Sequence, residues 1–365
     1  MDRIIQVLSH GLLLMYVIFV WSAAATAADR GEGRDPLPIP PKTITFDRSS
    51  SQSIAFDNDV FVPGARDQDY TYGINLTLVG DGVEDHWLST HSPLAWLDRT
   101  IGIDQYIGQN LQSSKIEYGL FGFTPENLSV ERPEDGDRPY ASLVYVSSTR
   151  ERYEPAREVS WQTTLTVGVL GLPIVGEIQD AVHSVIDGED PQGWDTQISE
   201  GGELTARYSV ARQRLLYQSR SGMEIKSTVQ GSIGYISEAS WSLSMRAGNI
   251  QTPWVSFNPE LASYGEKSTP TDHGWVSEQY FWTGFSLKAR AYNAFLQGQF
   301  KDSEISYDSD ELNHGIVEAW IGYTVALNSG YTFTYSIRGH TSELKDGVGD
   351  RSVLWGGLLV TKTIK

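Results

Sequence analysis

The chain contains no cysteine in its 365 residues, so a disulfide framework, a thiolate zinc site and a cysteine nucleophile are all excluded. Positive charge is also in short supply. Lys and Arg number 28 against 46 Asp and Glu, for a formal charge of -18. Contact with a phosphate backbone needs clustered cations, so nucleic acid is not expected as a partner. Gly-x-Ser-x-Gly is missing, which argues against a serine hydrolase built on a strand-to-helix elbow. Beyond Trp21 no apolar run approaches the roughly 20 residues that a membrane helix needs. A helical membrane protein is therefore disfavoured, leaving a soluble periplasmic protein or an outer-membrane barrel.

What is present begins with an address. Arg3 supplies a positive start, Gly11 to Trp21 is a short apolar run, and Ala25-Thr26-Ala27 has the small-x-small form of a cleavage site. Residues 1–28 read as a signal peptide. Residues 29–50, rich in Pro, Asp and Arg, read as a flexible lead-in. The remainder, 51–365, reads as one β domain. Its 35 glycines and 11% aromatics suit many strands and turns.

Strand-like segments recur at 51–60, 70–80, 113–123, 139–151, 155–170, 201–217, 222–236, 238–250, 278–302, 314–327, 330–340 and 351–363. They make an even set of twelve, the arrangement of an antiparallel transmembrane barrel in the outer membrane of a Gram-negative bacterium. Period-two alternation is clear in the second. Tyr70, Tyr72, Ile74, Leu76 and Leu78 share one face; Thr71, Gly73, Asn75 and Thr77 share the other. In 314–327, Ile316, Glu318, Trp320, Gly322 and Thr324 oppose Val317, Ala319, Ile321, Tyr323 and Val325. Charges inside such strands suit a wet barrel interior better than a dry core. Aromatics near strand ends (Tyr70, Tyr140, Trp161, Trp241, Tyr280, Trp282, Trp320, Tyr331, Trp355) fit either interfacial girdles or plain β propensity.

With a periplasmic N-terminus, the connections 61–69, 124–138 and 171–200 fall at the outer end. Within 81–112, Trp87, Leu94, Trp96, Leu97 and Ile101 outline an amphipathic helix, either interfacial or a periplasmic plug. In 171–200 a helix is expected from Val175 to Ile186, with Ile178, Val182, Val185 and Ile186 as its apolar stripe and His183 beside it. Topology therefore gathers Asn58, Asp59, Asp69, Thr71, Asp137, Arg138, His183 and Glu189 at one rim. His183 is the one plausible base, and Asp59 is foremost among hard oxygen donors for a divalent cation. Such a set can hydrolyse an ester without a covalent nucleophile. Asn58 and Asp59 are adjacent, so both can serve one site only where the strand bulges or ends.

These residues carry a resemblance. FDNDVF with Asn58 and Asp59, DYTYG with Thr71 and Gly73, FGFTPENLSVERPEDGDRPYAS with Pro133, Asp137, Arg138 and Tyr140, and AVHSVIDGEDPQGWDTQ with His183, Gly188, Gly193, Trp194 and Gln197 are similar in order and spacing to the outer-membrane lipid A 3-O-deacylase (LpxR) family. The likeness covers essentially the mature chain and is strongest from Phe56 to Gln197. It implies a twelve-stranded barrel with a short helix in an extracellular loop, and Ca2+-dependent release of the 3'-linked acyloxyacyl group of lipid A. It further implies His183 as general base, with Asn58 and Thr71 orienting water, carbonyl or metal. Asp59 is then the metal-associated carboxylate and Glu189 a second acidic site residue. Asp137 and Arg138 read instead as a structural ion pair at the rim. Where the resemblance expects a lysine this chain has Val130, with Arg132 close by, and it ends on Lys365 rather than an aromatic. Lipopolysaccharide and outer-membrane lipids are the expected partners, and a monomer is expected because a closed barrel has no free edge. A non-catalytic barrel (channel or surface interaction protein) and a phospholipid esterase are the alternatives.

Overall fold

Alternating sequence becomes wall and filling. A computed structural model describes residues 50–62, 68–103, 113–154, 157–179, 191–267 and 275–364. The expected signal peptide and all of the lead-in except Ser50 lie outside them. The strands are β1 (Ser50–Asn58), β2 (Asp69–Val79), β3 (Ser113–Thr124), β4 (Ala141–Glu154), β5 (Val159–Leu170), β6 (Glu203–Gln218), β7 (Met223–Gly234), β8 (Ile236–Asn249), β9 (Glu278–Asn293), β10 (Gly315–Ala326), β11 (Tyr331–His340) and β12 (Val353–Ile364). Each pairs antiparallel with its neighbours in sequence, and β1 pairs with β12, from Ser50↔Ile364 to Asn58↔Gly356, to close the barrel. The expected strand at 278–302 stops early. Asn293 turns and caps a helical turn, Ala294–Gln297, whose Phe295 and Leu296 are buried.

Burial alternates along the strands. In β10, Ile316, Glu318, Trp320 and Thr324 are buried within. In β9, Ser286, Lys288 and Arg290 point inward while Phe281 and Leu287 are exposed on the outer wall. The interior is packed, and its charges are paired: Lys288 with Glu318 at 2.6 Å, Arg290 with Glu238 at 2.8 Å and Arg246 with Glu224 at 2.6 Å. Buried charges of opposite sign offset each other's desolvation only at such close range.

The filling comes from the β8–β9 connection, which no sequence feature singled out. Residues 250–267 enter the lumen. Glu260 accepts from Gln213, Thr228 and Ser244 of β6, β7 and β8 at 2.6 to 2.8 Å. Higher up, Tyr145 of β4 donates to the Gly265 carbonyl at 2.8 Å, and Lys267 pairs with Asp57 of β1. Tyr264 sits among Tyr70, Phe121, Phe123, Phe295 and Trp355. This aromatic plug corrects the girdle reading. Tyr70, Tyr140, Tyr280, Trp282, Trp320 and Trp355 are buried, and of the expected girdle only Trp241 and Tyr331 are well exposed.

The helix expected in 81–112 spans His91–Thr100 and lies against the outer wall, not in the lumen. Thr90 donates to the Leu165 carbonyl at 3.1 Å, and its backbone N–H binds Ser148 Oγ at 2.9 Å. Asp98, wholly buried, pairs with Arg150 and accepts from Thr163 and Tyr208. Trp87, Trp96 and Ile101 face outward, so the expected apolar face is divided between wall and surroundings.

Candidate active site on the outer wall

β1 ends where the residues of interest begin. Asn58 is its last residue, and the Asn58 side chain accepts from the Val60 N–H at 2.7 Å, capping a 3-10 turn over Asp59–Phe61. Strand geometry is thereby broken between Asn58 and Asp59, which removes the alternation that would send them to opposite faces. Phe61 lies over Gly356, where an added Cβ would come within 2.6 Å of the Phe61 Cβ. The turn is thus laid across the outside of β12. Asp59 is 1% exposed, and its Oδ2 accepts from the Gln68 N–H at 2.6 Å, fastening the two ends of this connection.

β2 begins irregularly. Asp69 has φ of 68°, and the register against β3 shifts between Tyr70 and Tyr72. The extra residue, Thr71, is a bulge, and it breaks the expected alternation. Tyr70 turns into the lumen, where its hydroxyl reaches Asp57, while Tyr72 stays on the outer face with Ile74. Thr71 therefore leaves the face expected of it with Asn75 and Thr77. Its hydroxyl bonds that of Thr124, the neighbour of lumenal Phe123, at 2.6 Å. Asn58, opposite Tyr72 in register, shares the outer side with both.

Against this outer surface rests the start of the 171–202 connection. Residues 174–179 are helical. The Tyr72 hydroxyl donates to the Val175 carbonyl, and Val175 packs with Tyr72, Leu128, Tyr140 and Trp194. Gly122 makes this approach possible, since a Cβ there would stand 3.0 Å from the Trp194 ring and 3.1 Å from Val175. The 125–140 connection joins the same cluster. Tyr140 and Trp194 rings lie 5.1 Å apart, Gln192 N–H donates to the Leu128 carbonyl at 2.9 Å, and Ile198 N–H to the Tyr140 carbonyl at 2.8 Å. Ser142 donates to Gln197 Oε1 at 2.7 Å. One residue went unassigned in the sequence reading: Tyr72 looked like ordinary wall. Gln179, a polar neighbour of His183 in the same loop, is 2% exposed, accepts the Trp194 indole N–H at 2.9 Å and stands four residues before His183.

His183 and Glu189 lie outside the described residues. Asp69, Asp137 and Arg138 do not join the outer group. Arg351 binds Asp137 at 2.7 Å and Asp69 at 2.9 Å, while Arg138 pairs with Glu343 and, at 3.5 Å, with Asp69. Asp137 and Arg138 are thus structural, though not partners of each other through their side chains: each is held by a third residue. Burial alone would push the Glu343 carboxyl up, but Arg138 and Arg290 outweigh it and hold that carboxyl well below the usual range.

As for a metal, Asp59 offers the hard oxygen that Ca2+ prefers. Asp69 and Asp137 are committed to arginines, and no group of three acidic, histidine or cysteine side chains suited to a metal gathers among the described residues. A calcium site at Asp59 therefore requires hydroxyl, amide or backbone oxygens, or donors from 180–190.

A family model described as outer membrane protein LpxR matches residues 12–363. The chain belongs to the LpxR family. It is an outer-membrane protein. Among solved structures, LpxR from Salmonella typhimurium superposes with a TM-score of 0.67 at 16% identity, covering 86% of this chain and 100% of that one. The beta domain of the Bordetella autotransporter Brka is matched at a TM-score of 0.40 and 10% identity, over 87% of this chain and 100% of that one, a likeness too distant to carry an argument. No curated protein matches by sequence. This LpxR-family barrel has its polar outer group beside a docked loop helix rather than within the pore.

Proposed function

We propose that this LpxR-family protein is an outer-membrane lipid A deacylase that hydrolyses the 3'-linked acyloxyacyl ester. One observation carries the reading: Tyr72, the cross-strand partner of Asn58, also holds the helix that leads toward His183. That bond ties the cross-strand partner of Asn58 to the connection that carries His183 in sequence, on the outer wall of the barrel. The helix expected over 175–186 would put His183 one turn beyond Gln179 on the same face.

In the proposed reaction, neutral His183 takes a proton from water as its oxygen attacks the ester carbonyl. Collapse of the tetrahedral species expels the sugar oxygen, which recovers the proton, so water adds across the bond to give acid and alcohol. Asn58 and Thr71 orient water and carbonyl, and Glu189 steadies the imidazole. Calcium, held by Asp59 with further oxygens, would supply positive charge against the developing oxyanion. The packed lumen supports this reading over a channel.

His183→Ala tests it. Lipid A from cells expressing the wild type should lack the 3'-acyloxyacyl group by mass spectrometry. The variant should leave lipid A intact while its barrel still shows heat-dependent gel migration. Release of that group by the variant at the wild-type rate would remove His183 from the mechanism, and cleavage of phospholipid alone would favour the esterase.

A further inference from the structure

The outer wall below the candidate site is not a uniform apolar surface. A groove of about 710 Å³ runs down it across β1 to β6. Its upper row is Ile74, Leu120 and Val144, the same three side chains that pack against the Val175–Trp194 cluster. Its next row is Leu76, Val146 and Val167. Below lies a floor. Leu88 lines the groove, and two residues on, Thr90 is bonded to Ser148 and to the Leu165 carbonyl. Register places Val144 opposite Val169, and Ser148 opposite Leu165. The open wall between these rows spans four residues, about 13 Å of strand.

We propose that this groove holds the fatty acyl chain of the substrate, with the ester at the docked helix and the chain lying down the wall toward Leu88. The inference rests on the deacylase reading and adds where substrate selectivity resides. Three features select an acyl chain as occupant. The side chains aimed at the groove from the wall are apolar except at the Tyr118 hydroxyl, which is taken up by His86 at 2.7 Å. Its top is continuous with the candidate site. And its open side faces the hydrocarbon of the membrane, where acyl chains are the available ligand. Such a chain is already out of water, so the groove contributes packing and orientation rather than a hydrophobic transfer. Its effect belongs on the rate for long-chain esters, because misplacing a reacting group by about 1 Å costs on the order of a hundredfold.

Two measurements test this. Val146→Trp and Val167→Trp fill the groove while keeping an apolar wall, and Phe333→Trp, on the exposed face of β11, is the control. With purified protein, hydrolysis of a myristoyl ester should fall about tenfold or more in the groove variants, while a butyryl ester is cleaved as before. The control should leave both unchanged. Equal loss on both esters, or no loss on either, would overturn the proposal. A second readout does not depend on turnover. A diazirine-bearing myristic acid, photoactivated with wild-type protein in vesicles of outer-membrane phospholipid, should label peptides containing 74–76, 118–120 and 144–146 above the rest of the wall. Uniform labelling around the barrel would overturn the groove as a binding track even if deacylation is confirmed. Selective labelling without any hydrolysis would retain the groove and sink the deacylase reading.

Discussion

Tyr72 shows how much can depend on a single hydroxyl. Its ring belongs to the wall, and its oxygen donates to Val175 at the first turn of the loop helix. Tyr72→Phe keeps the ring and leaves a buried carbonyl without that donor, a loss of about 1 kcal/mol. The expected outcome is a several-fold fall in lipid A deacylation, followed by mass spectrometry over time, with unchanged thermal unfolding of the barrel. Full activity in the phenylalanine variant would show that the bond does not position the site. At this same scale, Thr71 explains why alternation misled. The pattern of β2 placed Tyr70 outside with Tyr72. One inserted residue turns it inward, and nothing local distinguishes a bulge threonine from a ladder threonine.

Among elements, the connections at the loop-rich end are tied by charge. Glu343, in the β11–β12 connection, binds Arg138 of the β3–β4 connection and Arg290 of β9. Because these arginines hold its carboxyl below the ordinary value of 4.5, the unfolded chain takes up protons before the folded one does. The stabilisation is full above that ordinary value and is lost as pH falls below it toward the depressed folded value. Acid unfolding of wild-type protein should therefore steepen below about pH 4.5, and Glu343→Gln should flatten that part of the profile. Intrinsic fluorescence against pH measures it, and identical profiles would exclude Glu343 as the source. The 174–179 helix is the other informative element. Of the expected apolar stripe the described residues hold Ile178, which packs with the cluster on the outer face; that choice was not visible in sequence, since both the lumen and the outer face of β2 to β4 offer apolar and aromatic side chains.

For the whole molecule, the plug bears on the pore alternative. Residues 250–267 bind side chains from β1, β3, β4, β6, β7 and β8, so among the described residues this connection crosses and obstructs the lumen. Purified protein in planar bilayers should give no sustained conductance steps of the kind an open barrel produces. Regular stepwise currents would restore the channel reading. The packed lumen also leaves the outer wall for the site of the proposed reaction, whose substrate would approach from the membrane.

Sequence alone determined the twelve strands and their order, and which loops share an end, because these follow from a two-residue period and from counting. The placing of Asn58 beside Tyr72 on one side depended on more. Side-chain direction at a strand end is set by a cap and a bulge, and both depend on atoms brought in by neighbouring strands. The plug was illegible for a related reason. Glu260, Glu266 and Lys267 look like a solvated loop until partners from strands far along the chain neutralise them. Local pattern records which face a residue prefers; only the closed barrel decides what fills its inside and what lies against its wall.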